Sequence, residues 1–262
     1  MNISFIGYGK IAQSLVNGWV HSQDHHFRAA APSLKMAITT EGIETTPNNL
    51  DVIQDADVII LAVKPAQMAS VMAEIGTSIP RKCLLVSVAT GLNLAWFAIH
   101  ASPETAVVRA MPNIAAAVKL SATPLIENQF VSEQQRDIAQ QLFNAIGITT
   151  WVQRETDMDI FTALSGSGPA YVFQFIQSMV AAAVNMGLDE QTATDFALET
   201  VSGATALAIE SKRDLQQLTD QVTSKGGTTA AALHVFHDLQ FSHVIEAAMK
   251  AAQNRAQELD YT

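Results

Sequence analysis

Cysteine is nearly missing from this chain. Cys83 is the only one in 262 residues, so no internal disulfide can form. Its apolar setting, Cys83-Leu-Leu-Val-Ser-Val88, suits a buried thiol in a reducing compartment, and the cytoplasm is expected. Basic residues are also scarce: 15 Lys and Arg stand against 25 Asp and Glu, a formal charge of −10. Nucleic acid and anionic membrane need a basic face, so neither is expected as a partner, and any anion site must be local. Charged residues of both signs make up only 15% against 48% hydrophobic, which points to apolar surface hidden between subunits.

Other absences narrow the class further. The N-terminus lacks a basic region followed by a long apolar stretch and a small-residue cleavage site, and reads as a strand rather than a signal. One segment approaches membrane length, Pro169 to Met186, but Gln174, Gln177, Ser178 and Asn185 interrupt it. A buried or intersubunit helix is expected there. His234 and His237 have a metal-compatible spacing but no evident third ligand and no recognisable carboxylate partner, so no metal is expected. Repeats, low-complexity tracts and flexible linkers are absent.

What is present begins near the N-terminus. Ile3 to Ile6 is a short apolar strand running into Gly7-Tyr8-Gly9-Lys10-Ile11-Ala12 and then an amphipathic helix. This is the order of a dinucleotide-binding turn. Gly7 makes the turn, Gly9 lets a pyrophosphate approach the backbone, and Ala12 lets the helix lie close on the strand. The adenine-ribose selector should follow the second strand, His26 to Ala31. No carboxylate is there for a ribose diol, whereas Ser33 and Lys35, with Arg28 nearby, can receive a 2′-phosphate. NADP(H) is therefore favoured, with NAD(H) as the alternative.

Through about residue 150 short apolar runs alternate with helical patterns, which predicts a parallel α/β unit. The expected strands are Ile3–Ile6, His26–Ala31, Ile43–Thr45, Val58–Val63, Cys83–Val88, Val107–Ala110, Thr123–Ile126 and Ile148–Val152. Pro65 suits a first helical turn and Asn93 a cap. After Arg154 the alternation gives way to helices: one from Gly168-Pro169 to Gly187, one capped by Asp189, a short one capped by Asp214, and two more after a glycine loop. A Rossmann-type domain over 1–154 and an all-α dimerisation and substrate domain over 155–262 are expected.

That glycine loop, Asp220-Gln-Val-Thr-Ser-Lys-Gly-Gly-Thr-Thr229, combines backbone freedom, hydroxyls and a cation at a helix entrance. Consecutive N–H groups and the helix's positive end suit a small carboxylate or phosphate. An ordinary loop and cap is the other reading.

Together with Ala62-Val-Lys-Pro65, Val108-Arg-Ala-Met-Pro-Asn113 and Ala163-Leu-Ser-Gly-Ser-Gly-Pro-Ala-Tyr171, these motifs resemble the pyrroline-5-carboxylate reductase family over almost the whole chain. The resemblance implies NAD(P)H-dependent reduction of 1-pyrroline-5-carboxylate to L-proline, by a homodimer that in some members assembles into a decamer of five dimers. It implies that Ala62, Val63, Lys64 and Pro65 with Ala89, Thr90 and Gly91 line the nicotinamide half, and that Asn49 reaches toward the adenosine half. It further implies that Thr223, Ser224, Lys225, Gly226, Gly227, Thr228 and Thr229 hold the substrate carboxylate, with Ser165, Gly166, Ser167 and Gly168 nearby. The chain departs from the family in two places: Lys225 stands where Pro is common, and Ile114-Ala115 where Thr-Pro often follows Met-Pro-Asn.

Reducing a cyclic imine needs a hydride donor, a carboxylate anchor and a protonated nitrogen. The nitrogen can take its proton from water near neutral pH, so positioning can carry most of the catalysis. Thr229 is the candidate for a hydrogen bond to that nitrogen, against a plain role at the helix start. Lys64, unless desolvated, is a poor acid at neutral pH and reads as a cofactor contact or a surface side chain. A related imine or β-hydroxyacid reductase, and a non-catalytic NADP-binding regulator, are the competing readings.

Overall fold

The computed structural model describes residues 1–19 and 25–259. By packing, the chain forms two compact units, residues 1–169 with 251–262, and residues 170–250.

The first unit is a nine-stranded sheet between helices. Its strands are β1 (Asn2–Ile6), β2 (His26–Ala30), β3 (Ala37–Ile38), β4 (Glu44–Thr46), β5 (Val58–Leu61), β6 (Leu84–Ser87), β7 (Val107–Ala110), β8 (Ser121–Glu127) and β9 (Gly147–Trp151), in the order β3-β4-β2-β1-β5-β6-β7-β8-β9. Helices α1 (Lys10–Trp19), α2 (Asn49–Ile53), α3 (Pro65–Ile75), α4 (Leu94–His100), α5 (Glu133–Asn144) and α6 (Glu155–Phe161) complete it. The two-residue period of a strand divides its side chains between two cores. Val58 and Ile60 of β5 join Phe5, Leu15, Trp19 and Phe143 under α1 and α5. Ile59 and Leu61 join Ile53, Met68, Met72 and Phe97 under α2, α3 and α4.

The sheet is mixed rather than wholly parallel. β8 runs antiparallel to β7, and β3 antiparallel to β4. Only residues 111–120 join β7 to β8, and a parallel return needs a crossover of about a dozen residues or more. A short 3-10 turn, Ile114–Val118, fills that connection instead. The fifth strand stops at Leu61 rather than Val63, because Lys64 is the extended residue before Pro65 opens α3. Pro65 and the Asn93 cap, which accepts from the Trp96 N–H, stand as the sequence predicts.

The second unit is helical. It takes in most of α7 (Gly168–Asn185), all of α8 (Glu190–Ser211), α9 (Leu215–Gln221) and α10 (Thr228–Asp238), and the first half of α11 (Phe241–Leu259). Asp189 and Asp214 cap α8 and α9. Phe241 stacks on Phe236 at 5.1 Å and meets Phe175 at 6.4 Å. Much apolar surface stays uncovered: Phe173 is 57% and Phe196 70% exposed. Among the described residues no helix is long and apolar enough to cross a membrane.

Cys83 is 2% exposed, and burial pushes its thiol up to about 12 from an ordinary 9.0. Above the ordinary value the unfolded chain loses this proton while the folded chain keeps it. Stability is therefore expected to fall by about 1.4 kcal/mol per pH unit between pH 9 and 12 from this group alone. Urea denaturation of wild type and Cys83→Ala across that range measures the difference, and equal slopes would refute it.

Candidate active site at the carboxyl ends of the strands

The glycine turn after β1 is built by a close approach. Gly7 has φ +90, its N–H donates to the Ala30 carbonyl at 2.7 Å, and a Cβ there would lie 2.8 Å from the carbonyl carbon and oxygen of Ala62. Only glycine fits. Around Gly9, by contrast, nothing lies within 4 Å of an added Cβ, so this surface is open for a ligand to reach the backbone. Ala12 is fully buried in the core beneath, and Lys10 at the start of α1 is exposed. Tyr8 sets its ring edge-on to Phe5, and burial, then the Glu41 carboxylate, raises its hydroxyl above the ordinary range. No acidic residue occupies the first turn of α1, which leaves its positive end to an anion.

The other residues expected to meet a cofactor end the neighbouring strands. Ser33 and Lys35 are exposed in the turn after β2, either side of Leu34, whose N–H donates to Ala31 at 2.9 Å. Arg28 lies within β2 and is paired with Asp55. Beyond β5, Ala62 donates to Ile6 at 2.8 Å, and Lys64 is exposed. Beyond β6, Val88 donates to Leu61 at 3.1 Å, Ala89 is buried, and the Thr90 hydroxyl meets Met111 Sδ at 3.7 Å. These clusters therefore line up along β2, β1, β5 and β6, adjacent strands whose order reverses between β1 and β5. In open α/β sheets the crevice at such a reversal is where ligands bind. Asn49 opens α2, and its amide donates to Glu74 at 2.8 Å, tying α2 to α3.

Two residues that carry no role in the sequence reading hold the far end of this row. Asn113, buried after β7, takes the Ser121 hydroxyl on its own N–H at 3.1 Å, accepts from Ala115 at 2.9 Å and donates to the Ser165 carbonyl at 2.9 Å. Met111 lies against Gly166. Ser165 and Gly166 belong to a π-helical turn, Thr162–Gly166, in which the Ser167 N–H reaches Thr162 at 2.8 Å; such turns concentrate at functional sites. Glu155 is the other omission. It accepts from the Leu94 N–H at 2.6 Å and pairs with buried Arg109.

In the helical unit the Thr223–Thr229 loop is a tight turn into α10. Gly226 has φ +72, Gly227 donates to the Ser224 carbonyl at 3.0 Å, and Thr223 Oγ1 donates to Thr219 at 2.6 Å. Gly227 precedes α10, and no side chain caps that helix. Its first N–H groups are thus left for a ligand or water. Thr229 is half-buried, while Thr228 and Lys225 are exposed. One expectation is corrected here: His234 has a carboxylate partner, Asp238, at 2.8 Å, one helical turn away. No cluster of metal-ligating side chains occurs among the described residues.

Known proteins match this arrangement. A family model described as pyrroline-5-carboxylate reductase dimerisation covers residues 155–259, and one described as NADP oxidoreductase, coenzyme F420-dependent, covers residues 2–91. The pyrroline-5-carboxylate reductase of Pseudomonas aeruginosa is 36% identical, over 98% of this chain and 96% of the relative. The chain belongs to the pyrroline-5-carboxylate reductase family. Two solved structures of the family superpose closely. The Coxiella burnetii reductase has a TM-score of 0.90 at 35% identity, covering 100% of this chain and 99% of that one. The Plasmodium falciparum enzyme, crystallised with NADP bound, has 0.92 at 28%, covering 99% and 98%.

One departure from the family now has a physical consequence. Ala115 supplies an N–H to the Asn113 side chain, which a proline there would lack. For the turn itself, Gly9→Val is expected to fold with less than about 1 kcal/mol of stability change, since its Cβ meets open space. NADPH affinity should drop tenfold or more, about 1.4 kcal/mol. Fluorescence titration beside thermal melting checks both, and undiminished NADPH binding would remove Gly9 from the site.

Proposed function

We propose that this protein reduces 1-pyrroline-5-carboxylate to L-proline with NADPH, the last step of proline biosynthesis. The observation that carries the reading is that one chain has a glycine turn with an open face at Gly9, at the strand reversal between β1 and β5, and, separately, an uncapped glycine-threonine loop at the start of α10. The family's reductases, including one crystallised with NADP bound, support it.

The crevice fits a dinucleotide, because Gly9 leaves its face clear and Gly7 admits no side chain. Gly7, Tyr8, Gly9, Lys10 and Ile11 would form the pyrophosphate turn with Ala12 packed beneath it, Ser33 and Lys35 would hold the 2′-phosphate, and Asn49 the adenosine side. Ala62 to Pro65 and Ala89 to Gly91 would line the nicotinamide. When bound, NADPH supplies the hydride for the C=N carbon. The N–H groups of the Thr223–Thr229 loop would fix the substrate carboxylate, and Ser165, Gly166, Ser167 and Gly168 would also serve substrate binding. The Thr229 hydroxyl would accept a hydrogen bond from the protonated imine nitrogen, whose proton comes from water. Fixing both partners removes the entropy cost of their encounter, so positioning supplies most of the rate.

The functional division we assign is 1–154 for the cofactor and 155–262 for substrate and dimerisation. The chain works as a homodimer, with five dimers forming a decamer as the larger assembly, in the cytoplasm. The uncovered apolar face of the helical unit supports pairing: Tyr171, Phe175, Met179, Phe236, Phe241 and Ile245 line a groove of about 920 Å³. Apolar patches of this extent are normally buried by a partner.

Initial rates of NADPH and NADH oxidation with and without 1-pyrroline-5-carboxylate test the activity. Rapid substrate-dependent oxidation is expected, and binding without turnover would refute it. Thr229→Ala is expected to lose about tenfold to a hundredfold in kcat with NADPH affinity unchanged; full turnover would exclude Thr229. Lys35→Ala should raise KM for NADPH about tenfold and leave KM for NADH unaffected, through loss of one charge-assisted hydrogen bond. Equal effects on both cofactors would dismiss Lys35 as the phosphate selector.

A further inference from the structure

The α11 helix ends against the loop that follows β6. Gly91 has φ +77, and a Cβ on it would lie 2.5 Å from Leu259 Cβ and 2.9 Å from the Leu259 carbonyl carbon and oxygen. The α-carbon of Gly91 therefore packs directly on the backbone of the last turn of α11, with no flexible side chain between them. Contacts of this kind transmit displacement, because close-packed backbone has nothing to rearrange. The same turn is anchored nearby, since Ala256 is 2% exposed.

The loop before Gly91 and the start of α4 after it are also held. The Val88 N–H is fixed to Leu61, the Ala89 N–H to the Ser87 hydroxyl at 3.3 Å, Thr90 to Met111, and the Leu94 N–H to Glu155. Gly91 is the point where the support comes from the far end of the chain instead of from the sheet. We infer that Leu259 is a positioning residue for hydride transfer, its Cβ and backbone setting the path of Ala89–Gly91 against the nicotinamide. The inference rests on the proposed reading of Ala89–Gly91 as nicotinamide-lining.

The test is single-turnover oxidation of NADPH by the full chain at saturating 1-pyrroline-5-carboxylate, with NADPH affinity and melting temperature measured on the same samples. Leu259→Gly removes the side-chain atom nearest Gly91 and loosens the backbone of the last turn that packs on it, and Leu259→Ala keeps that atom. Leu259→Gly is expected to slow hydride transfer about tenfold, since small misplacements of reacting groups cost this much or more, while NADPH affinity changes by less than about twofold. Leu259→Ala should stay within about twofold of wild type. Gly91→Ala, which forces the two backbones apart, gives a second route to the same slowed transfer if Leu259→Gly folds poorly. A Leu259→Gly enzyme with the wild-type rate, or a Leu259→Ala enzyme equally slowed, overturns the positioning role. Thr90→Leu separates the two levels. If it transfers hydride normally, the nicotinamide reading itself has failed; if it is impaired while Leu259→Gly is normal, only the role of Leu259 falls.

Discussion

The pairing of β1 with β2 on one side and β5 on the other is the constraint on which the site depends. It brings the ends of these strands to one level, and the turn beyond β1 then has to pass the Ala62 carbonyl with no room for a side chain. The cost is a glycine in a conformation other residues resist. The gain is an open backbone face at Gly9, beside the exposed start of α1. Because β6 continues the same parallel set, the loops after β2, β1, β5 and β6 form one row that gathers residues far apart in the chain.

A buried polar chain stiffens the other end of that row. Arg109, only 3% exposed, is paired with Glu155, which also takes the first N–H of α4. Removing Glu155 would leave the buried Arg109 charge and the Leu94 N–H unpaired, a loss of several kcal/mol in comparable sites. Asn113 plays the same part in neutral form, joining the loop after β7 to the π-helical turn at Ser165. These contacts reach the segment 165–168 from the sheet side, so its geometry is set by the first unit rather than by the helix it opens.

The helical unit is organised by a different requirement. None of the residues of α7 or α10 is buried in the chain alone, although both helices are rich in apolar side chains. Such helices gain little by folding in isolation and depend on a partner's surface for their hydrophobic stabilisation. The start of α10 shows the same pattern in polar terms: among the described residues no side chain caps it, and its first N–H groups face outward from the helix end.

The sequence by itself determined the local events. A strand followed by Gly7 and Gly9, Pro65 at a first turn, and Asn93, Asp189 and Asp214 at helix starts are each set by backbone sterics or a nearest-neighbour hydrogen bond, and all are readable over a few residues. Tertiary structure alone decided what depends on distant chain segments. The reversal of β8 follows from a connection too short for a crossover. Arg28 turns to Asp55, and Asn49 to Glu74, because packing brings those carboxylates within reach. Asn113, Glu155 and Leu259 acquire their positions from partners between 52 and 168 residues away, Ser165 for Asn113, Leu94 for Glu155 and Gly91 for Leu259. No local pattern encodes such contacts, since they exist only once the sheet and its loops have closed around them.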